Sequence, residues 1–272
     1  MILYYNVNAI SFSIQANKKL AILIKQQIYP SAIISEKTIE TEINYLVKNS
    51  NGYFEIYENK LRLYKCKRLE YLVSKLEWYI TGKILRELNG FLQIHAAGIV
   101  KNNKATLVIG DHGIGKTIIL TYFLLKGYRC LSDDIILLNP KDLSAHCFAR
   151  GFKINKDTYR ILPKLKQEFL EKTINKNWDF RINAKDIRKN AFTKKAKIEK
   201  IIFVKKNHEK KQIIYKIGQS EAFIDLLLNS LNYKEHEKYG INILADLIDN
   251  SQAYCLKRVG FLSMIKQIEA IL

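Results

Sequence analysis

The sequence predicts an α/β protein whose core is a strand, a phosphate-binding loop and a helix, preceded by a small β-rich region. Three observations carry this prediction. Residues 105–109, Ala-Thr-Leu-Val-Ile, form a short apolar run of the kind buried strands show. Gly110-Asp111-His112-Gly113-Ile114-Gly115-Lys116-Thr117 is a full match to G-x-x-x-x-G-K-[ST]. Residues 117–126 are then apolar and helix-like, and Gly127 is a natural C-cap. A further strand begins over 128–131, so strand, loop, helix and strand read as a βαβ unit.

Upstream, residues 4–14 alternate apolar with small or polar side chains, as a half-buried strand does. Residues 52–64 read as two short strands about an Asn59-Lys60 turn. Leu72, Leu76, Tyr79, Ile80, Ile84 and Leu85 recur at three- and four-residue steps, which predicts a helix over 69–88 that Asn89-Gly90 stops and that packs on the next domain. A hairpin is expected from strands 91–100 and 105–109 about a polar turn at 101–104. Downstream, residues 155–197 are mixed and polar, with a helix expected near 162–172 and an irregular, mobile basic stretch up to Lys197. Residues 201–204 and 212–217 read as a strand pair, 220–229 and 261–272 as helices. The domain reading is a β-rich region with a connecting helix over 1–90, and a catalytic domain over 91–272 that contains a basic segment, 151–216.

Composition excludes several classes. The chain has 272 residues, 48% of them apolar, with only 12 Gly and 3 Pro, which is an ordinary globular balance rather than a disordered or collagen-like one. No run reaches the ~18 consecutive apolar residues of a membrane span. The first residues lack the pattern of a secretory signal. Cys66, Cys130, Cys147 and Cys255 are scattered without a Cys-x-x-Cys pair, so reduced core thiols in a cytoplasm are expected rather than a disulfide framework or zinc site. The net charge is +19, and residues 151–216 hold 20 Lys and Arg against 7 Asp and Glu. That excess admits a polyanionic partner, but no Arg-rich stripe, helix-turn-helix or RNA-binding aromatic motif accompanies it, which disfavours nucleic acid.

The chemistry converges on nucleotide phosphates. Glycines let the loop backbone wrap so that its N–H groups point at phosphate oxygens, and the following helix adds the partial positive charge of its N-terminus. The cradle is Gly110, Asp111, His112, Gly113, Ile114, Gly115, Lys116 and Thr117, with Lys116 on the β/γ-phosphates of ATP and Thr117 toward Mg²⁺. Ser132-Asp133-Asp134 follows 17 residues after Lys116 at its first Asp. Two adjacent carboxylates repel unless a cation is bound, and Mg²⁺ with its phosphates provides one. One Asp would hold the metal and the other accept a hydroxyl proton. His95, beside Ala96, Ala97 and Gly98, is expected near the γ-phosphate or the acidic pair.

Taken together, His95, the 110–117 loop and the Asp133-Asp134 pair resemble the catalytic core of HPr serine kinases, in which a His-bearing strand precedes a G-D-S-G-I-G-K-S type loop and an Asp-Asp pair follows one short helix. The resemblance covers about residues 91–140. It implies a fold similar to that family and to ATP-dependent phosphoenolpyruvate carboxykinases, with ATP and Mg²⁺ as cofactors, His95, Asp133 and Asp134 as catalytic residues, and a homo-oligomer. Arg150 stands where relatives often carry an Arg that reaches a phosphate or acceptor. His112 replaces the usual Ser, and the C-terminal signature tied to HPr docking is not found. The layout is therefore more similar to divergent HPr-kinase-like proteins associated with peptide modification. The expected activity is phosphoryl transfer to a Ser of a peptide or protein. The alternatives are a small-alcohol kinase and a nucleotide-gated binding protein without phosphotransfer.

Overall fold

A computed structural model describes residues 1–30, 32–35, 40–154, 180–206, 213–258 and 260–272. The chain is mixed α/β and divides into two compact units. One is Met1–Leu88 with Ala149–Ile154 and residues 180–183; the other is Asn89–Phe148 with residues 184–272. The chain passes into the second unit after Leu88 and returns to the N-terminal unit after Phe148.

The N-terminal unit holds β1 (Ile2–Val7), β2 (Ile10–Gln15), α1 (Lys18–Gln27), β3 (Ile33–Ser35), β4 (Ile43–Ser50), β5 (Tyr53–Glu58), β6 (Leu61–Cys66) and α2 (Leu69–Glu87). Its sheet runs β3-β1-β2-β4-β5-β6. The alternation over 4–14 resolves into two strands joined at Asn8 and Ala9, both at positive φ, with Tyr5 stacked on Phe12 at 4.8 Å. The β5–β6 hairpin turns on Asn59 and Lys60, again both at positive φ, the backbone that suits a two-residue hairpin loop. Helix α1 escaped the sequence reading although its start carries a signal: the Asn17 side chain accepts from the Leu20 amide at 3.0 Å. Helix α2 packs on β5 and β6 of its own unit, with Leu72, Leu76, Ile80 and Ile84 fully buried.

Here, too, lie β12 (Phe152–Ile154) and β13 (Phe180–Ile182), an antiparallel pair. Arg150 lies just before them. Its guanidinium is nine-tenths buried and donates to Glu77 of α2 at 3.1 Å, and Arg181 pairs with the other Glu77 oxygen. Arg150 therefore neutralises a buried carboxylate. Glu77→Gln would leave two buried guanidiniums without their anion. The expected cost is about 3 kcal/mol, a fall in Tm on the order of 10 °C by calorimetry.

The second unit comprises β7 (Leu92–Lys101), β8 (Lys104–Ile109), α3 (Lys116–Leu125), β9 (Arg129–Cys130), β10 (Ile135–Leu138), β11 (Ser144–His146), α4 (Ala184–Ile187), β14 (Lys195–Lys206), β15 (Ile213–Lys216), α5 (Gln219–Leu228), a 3₁₀ turn (Tyr233–His236), α6 (Glu237–Asp249), β16 (Gln252–Arg258) and α7 (Phe261–Ile271). The strand order is β11-β10-β7-β8-β14-β16-β15. Strand β11 also pairs with the start of β14, so β7, β8, β14, β11 and β10 close a ring. Leu92, Ile94, Ala96, Leu107, Ile136, Ile201 and Phe203 meet Ala222 and Leu226 of α5 and Ile243, Leu244 and Leu247 of α6 in one core.

Three expectations change. Strands β14 and β15 do not pair with each other; β16 lies between them, parallel to one and antiparallel to the other. Strand β9 runs the same way as β8 but is separated from it by β7, so the βαβ unit steps over a strand. The stretch up to Lys197 contains β13, α4 and the first residues of β14 rather than irregular chain. The helix expected near 162–172 lies outside the described residues. All four cysteines carry free thiols, with Cys130 and Cys255 buried. No described helix is long and apolar enough to cross a membrane.

Candidate functional site

Strand β8 ends at Ile109, opposite Ala96, and the chain turns at once into the glycine loop. Gly110 is required there by contact: a Cβ would come within 2.6 Å of the Val204 carbonyl oxygen on β14. Gly113 and Gly115 hold φ of 77° and 107°, a region open to glycine and costly to other residues. Ile114 anchors the loop in the core, fully buried, while Asp111, His112 and Gly113 are exposed. Gly115 is the N-cap of α3 and brings no capping side chain, so no residue of its own blocks the positive end of that helix.

Lys116 turns back over the loop. Its ammonium donates to the Gly110 carbonyl at 2.5 Å, to His95 Nε2 at 2.9 Å and to the Asp111 carbonyl at 3.4 Å, which accounts for its three protons. Burial pushes its pKa below the ordinary lysine value, and the carboxylates of Asp134, Asp111 and Asp133 oppose that shift. With Lys116 donating to Nε2, His95 carries its proton on Nδ1, which faces Asp134 Oδ1 at 3.3 Å. Asp134, His95 and Lys116 thus form a chain of carboxylate, imidazole and ammonium.

The acidic pair is presented by a break in a strand. Strands β9 and β10 lie along the same side of β7, and residues 131–134 interrupt them. Ladder bonds survive on both flanks of Asp133: Gly98 N–H donates to the Ser132 carbonyl and Ala96 N–H to the Asp134 carbonyl. The Ser132 hydroxyl accepts from the amides of Asp134 and Ile135, fixing the turn. Gly98 accommodates it, since a Cβ there would sit 2.8 Å from Ile136 and 3.1 Å from Leu131. Gly98 therefore admits the side chains of Leu131 and Ile136. The two carboxylates end in different surroundings. Asp133 is buried and its Oδ2 lies 3.4 Å from the Thr117 hydroxyl; Asp134 is 37% exposed beside His95.

No family model and no curated protein matches the chain. Among solved structures, one titled as the HPr(Ser) kinase/phosphatase from Coxiella burnetii is similar at 13% identity, over 66% of this chain and 87% of that one, with a TM-score of 0.38. At that level the likeness carries no argument, and the chemistry rests on the side chains of this chain.

His95, Lys116, Thr117, Asp133 and Asp134 are brought together, and the loop lies against them. Phe261, at the first turn of α7, escaped the sequence reading. A Cβ on Gly115 would meet its ring at 2.4 Å, so the ring covers the glycine face. The start of a helix was legible at Phe261, but nothing local links it to a loop 146 positions earlier. If the loop holds a nucleotide substrate, Phe261→Ala is expected to raise the KM for it about tenfold, ~1.4 kcal/mol of lost order in the loop, with kcat nearly unchanged. Steady-state kinetics check this, and Phe261→Leu is expected to restore most of the affinity.

Proposed function

We propose that this chain is an ATP- and Mg²⁺-dependent kinase that transfers the γ-phosphoryl group to a hydroxyl, with Ser of a peptide or protein as the preferred acceptor. The observation that supports it is the convergence of one ammonium and two differently placed carboxylates at the N-terminus of α3. Phosphoryl transfer demands positioning and charge neutralisation more than covalent chemistry, and these groups supply both.

Thr117 and Asp133, with Asp134 alongside, are hard oxygen donors of the kind that hold Mg²⁺ together with phosphate oxygens. Among the described residues there is no group of three or more His, Cys, Asp or Glu able to hold a metal, and Mg²⁺ shared with a nucleotide does not need one. When bound, it neutralises charge on the β- and γ-oxygens. Lys116 exchanges the Gly110 carbonyl for phosphate oxygens. Asp134 takes the proton of the acceptor hydroxyl, and His95 Nδ1–H steadies the carboxylate meanwhile. The acceptor oxygen bonds to Pγ, the bond from Pγ to the β–γ bridging oxygen breaks, and ADP leaves with that electron pair. The half-exposed Asp134 and the exposed 111–113 segment leave room for an acceptor carried on a polypeptide.

Incubation with γ-labelled ATP, Mg²⁺ and a Ser-containing peptide library tests the proposal, with mass spectrometry for the gain of one phosphate. Labelled Ser is the expected result. Nucleotide binding without transfer to peptide, protein or alcohol would overturn it and favour a nucleotide-gated binding protein.

A further inference from the structure

The β7–β8 hairpin carries a second group of cations at its turn, the end away from the phosphate loop. A cleft of about 410 Å³ there is lined by Val100, Lys101, Asn102, Asn103, Lys126, Gly127, Tyr128 and Arg129. Three of these residues are cationic, two carry side-chain amides and none is acidic. Asn102 and Asn103 sit at φ of 49° and 60°, the paired left-handed residues of a tight hairpin turn. Arg129 donates to the Asn103 side chain at 2.9 Å, which fixes the guanidinium at the rim. Lys101 lies 5.3 Å from the centre of the Tyr128 ring, and the Tyr128 carbonyl accepts from Arg188.

Two features separate this from scattered surface lysine. Lys101 and Lys104 face each other in the closing pair of the hairpin, a like-charge pairing that is unfavourable without an anion. Glu199 serves Lys104, at 2.5 Å, and so leaves the Lys101 side of the pair to the cleft. The second concerns the C-terminus of α3, which would ordinarily repel an anion. The carbonyls of Tyr122, Phe123 and Leu124 already accept from the amides of Lys126, Tyr128 and Gly127, so the last turn is not presented bare.

We propose that this cleft binds a small, multiply phosphorylated anion at a site separate from the phosphate loop. Lys101 and Arg129 supply the charge, Lys126 being shared with Glu269 at 3.6 Å, and the amides of Asn102 and Asn103 supply neutral donors. The phosphate chain is the recognised chemistry, whether free or carried by a nucleoside. Helix α3 spans ~15 Å between Lys116 and the cleft, so the two sites can be read apart.

The test is calorimetric titration of Lys116→Ala protein, in which the loop is disabled, with sodium tripolyphosphate in 150 mM salt. Saturable binding of one equivalent is expected. Adding Lys101→Glu and Arg129→Glu is expected to weaken it at least tenfold, whereas Lys238→Glu with Lys266→Glu, the same change in net charge on exposed positions elsewhere, leaves it within twofold. The gentler pair Lys101→Gln and Arg129→Gln, which guards against misfolding, is expected to weaken it at least fivefold. A parallel titration with ADP distinguishes the sources: tighter binding than pyrophosphate assigns a nucleoside carrier, and equal binding assigns the phosphate chain alone; both support the site. No saturable binding by the Lys116→Ala protein at millimolar tripolyphosphate overturns the proposal. So does equal weakening by the control pair, or unchanged affinity in the glutamine pair. Because the loop lysine is absent throughout, none of these outcomes depends on the kinase reading.

Discussion

Lys116→Ala is expected to lower phosphotransfer at least about a thousandfold, the range in which loss of a transition-state cation falls. The side chain leaves three acceptors behind, the carbonyls of Gly110 and Asp111 and His95 Nε2. The carbonyls stay near solvent-exposed chain, so the folding cost is small beside the catalytic one. On the proposed reading nucleotide affinity should fall as well, since Lys116 would face phosphate in both ground and transition states. Single-turnover kinetics with labelled ATP, alongside a thermal melt of the same variant, separate the two effects. Transfer within tenfold of the parent would remove Lys116 from the chemistry. Lys116→Arg is not expected to rescue, because a planar guanidinium does not reproduce the compact three-donor geometry that the loop surrounds.

Asp134→Asn carries the second largest expected effect, a fall in kcat of about 10²–10⁴, the usual worth of a general base. Its KM for ATP should change little, because Asp134 lies beside His95 and it is Asp133 that lies by the Thr117 hydroxyl. Asp133→Asn should behave differently. Its partner is Thr117, so its main signature is a higher Mg²⁺ concentration for half-maximal rate. A titration of rate against Mg²⁺ for both variants checks the division of labour. If the two exchange signatures, the roles are reversed; if neither changes, the acidic pair is structural.

Much of the second unit was legible residue by residue, because its signals are local. Gly113 and Gly115 announce left-handed backbone, the apolar run over 105–109 announces a buried strand, and Gly127 announces where α3 stops. The acidic pair was legible as a pair, but not as a break in the strand that β9 and β10 continue along β7. That break is set by Gly98 and by the side chains of Leu131 and Ile136. The resemblance gave Arg150 a phosphate or acceptor to reach, and its ion pair was not legible beside that. Its partner, Glu77, is 73 residues away on α2. The pairing of β14 and β15 was assigned from proximity in sequence, and β16, for which no element was expected, lies between them.

What the sequence by itself determined is the inventory: a glycine loop between strand and helix, a lysine and a hydroxyl at the helix start, and a carboxylate pair one short helix later. Backbone conformation and helix period depend on neighbours within a few residues, and so can be read in order. The tertiary structure alone decided the pairings. Lys116 with His95, Asp134 with the same imidazole, Phe261 over Gly115 and Arg150 on Glu77 each join residues far apart in the chain. Such contacts are chosen by burial and charge once the sheets have closed, when an ammonium or carboxylate taken from water must find its counterpart wherever the fold has placed one.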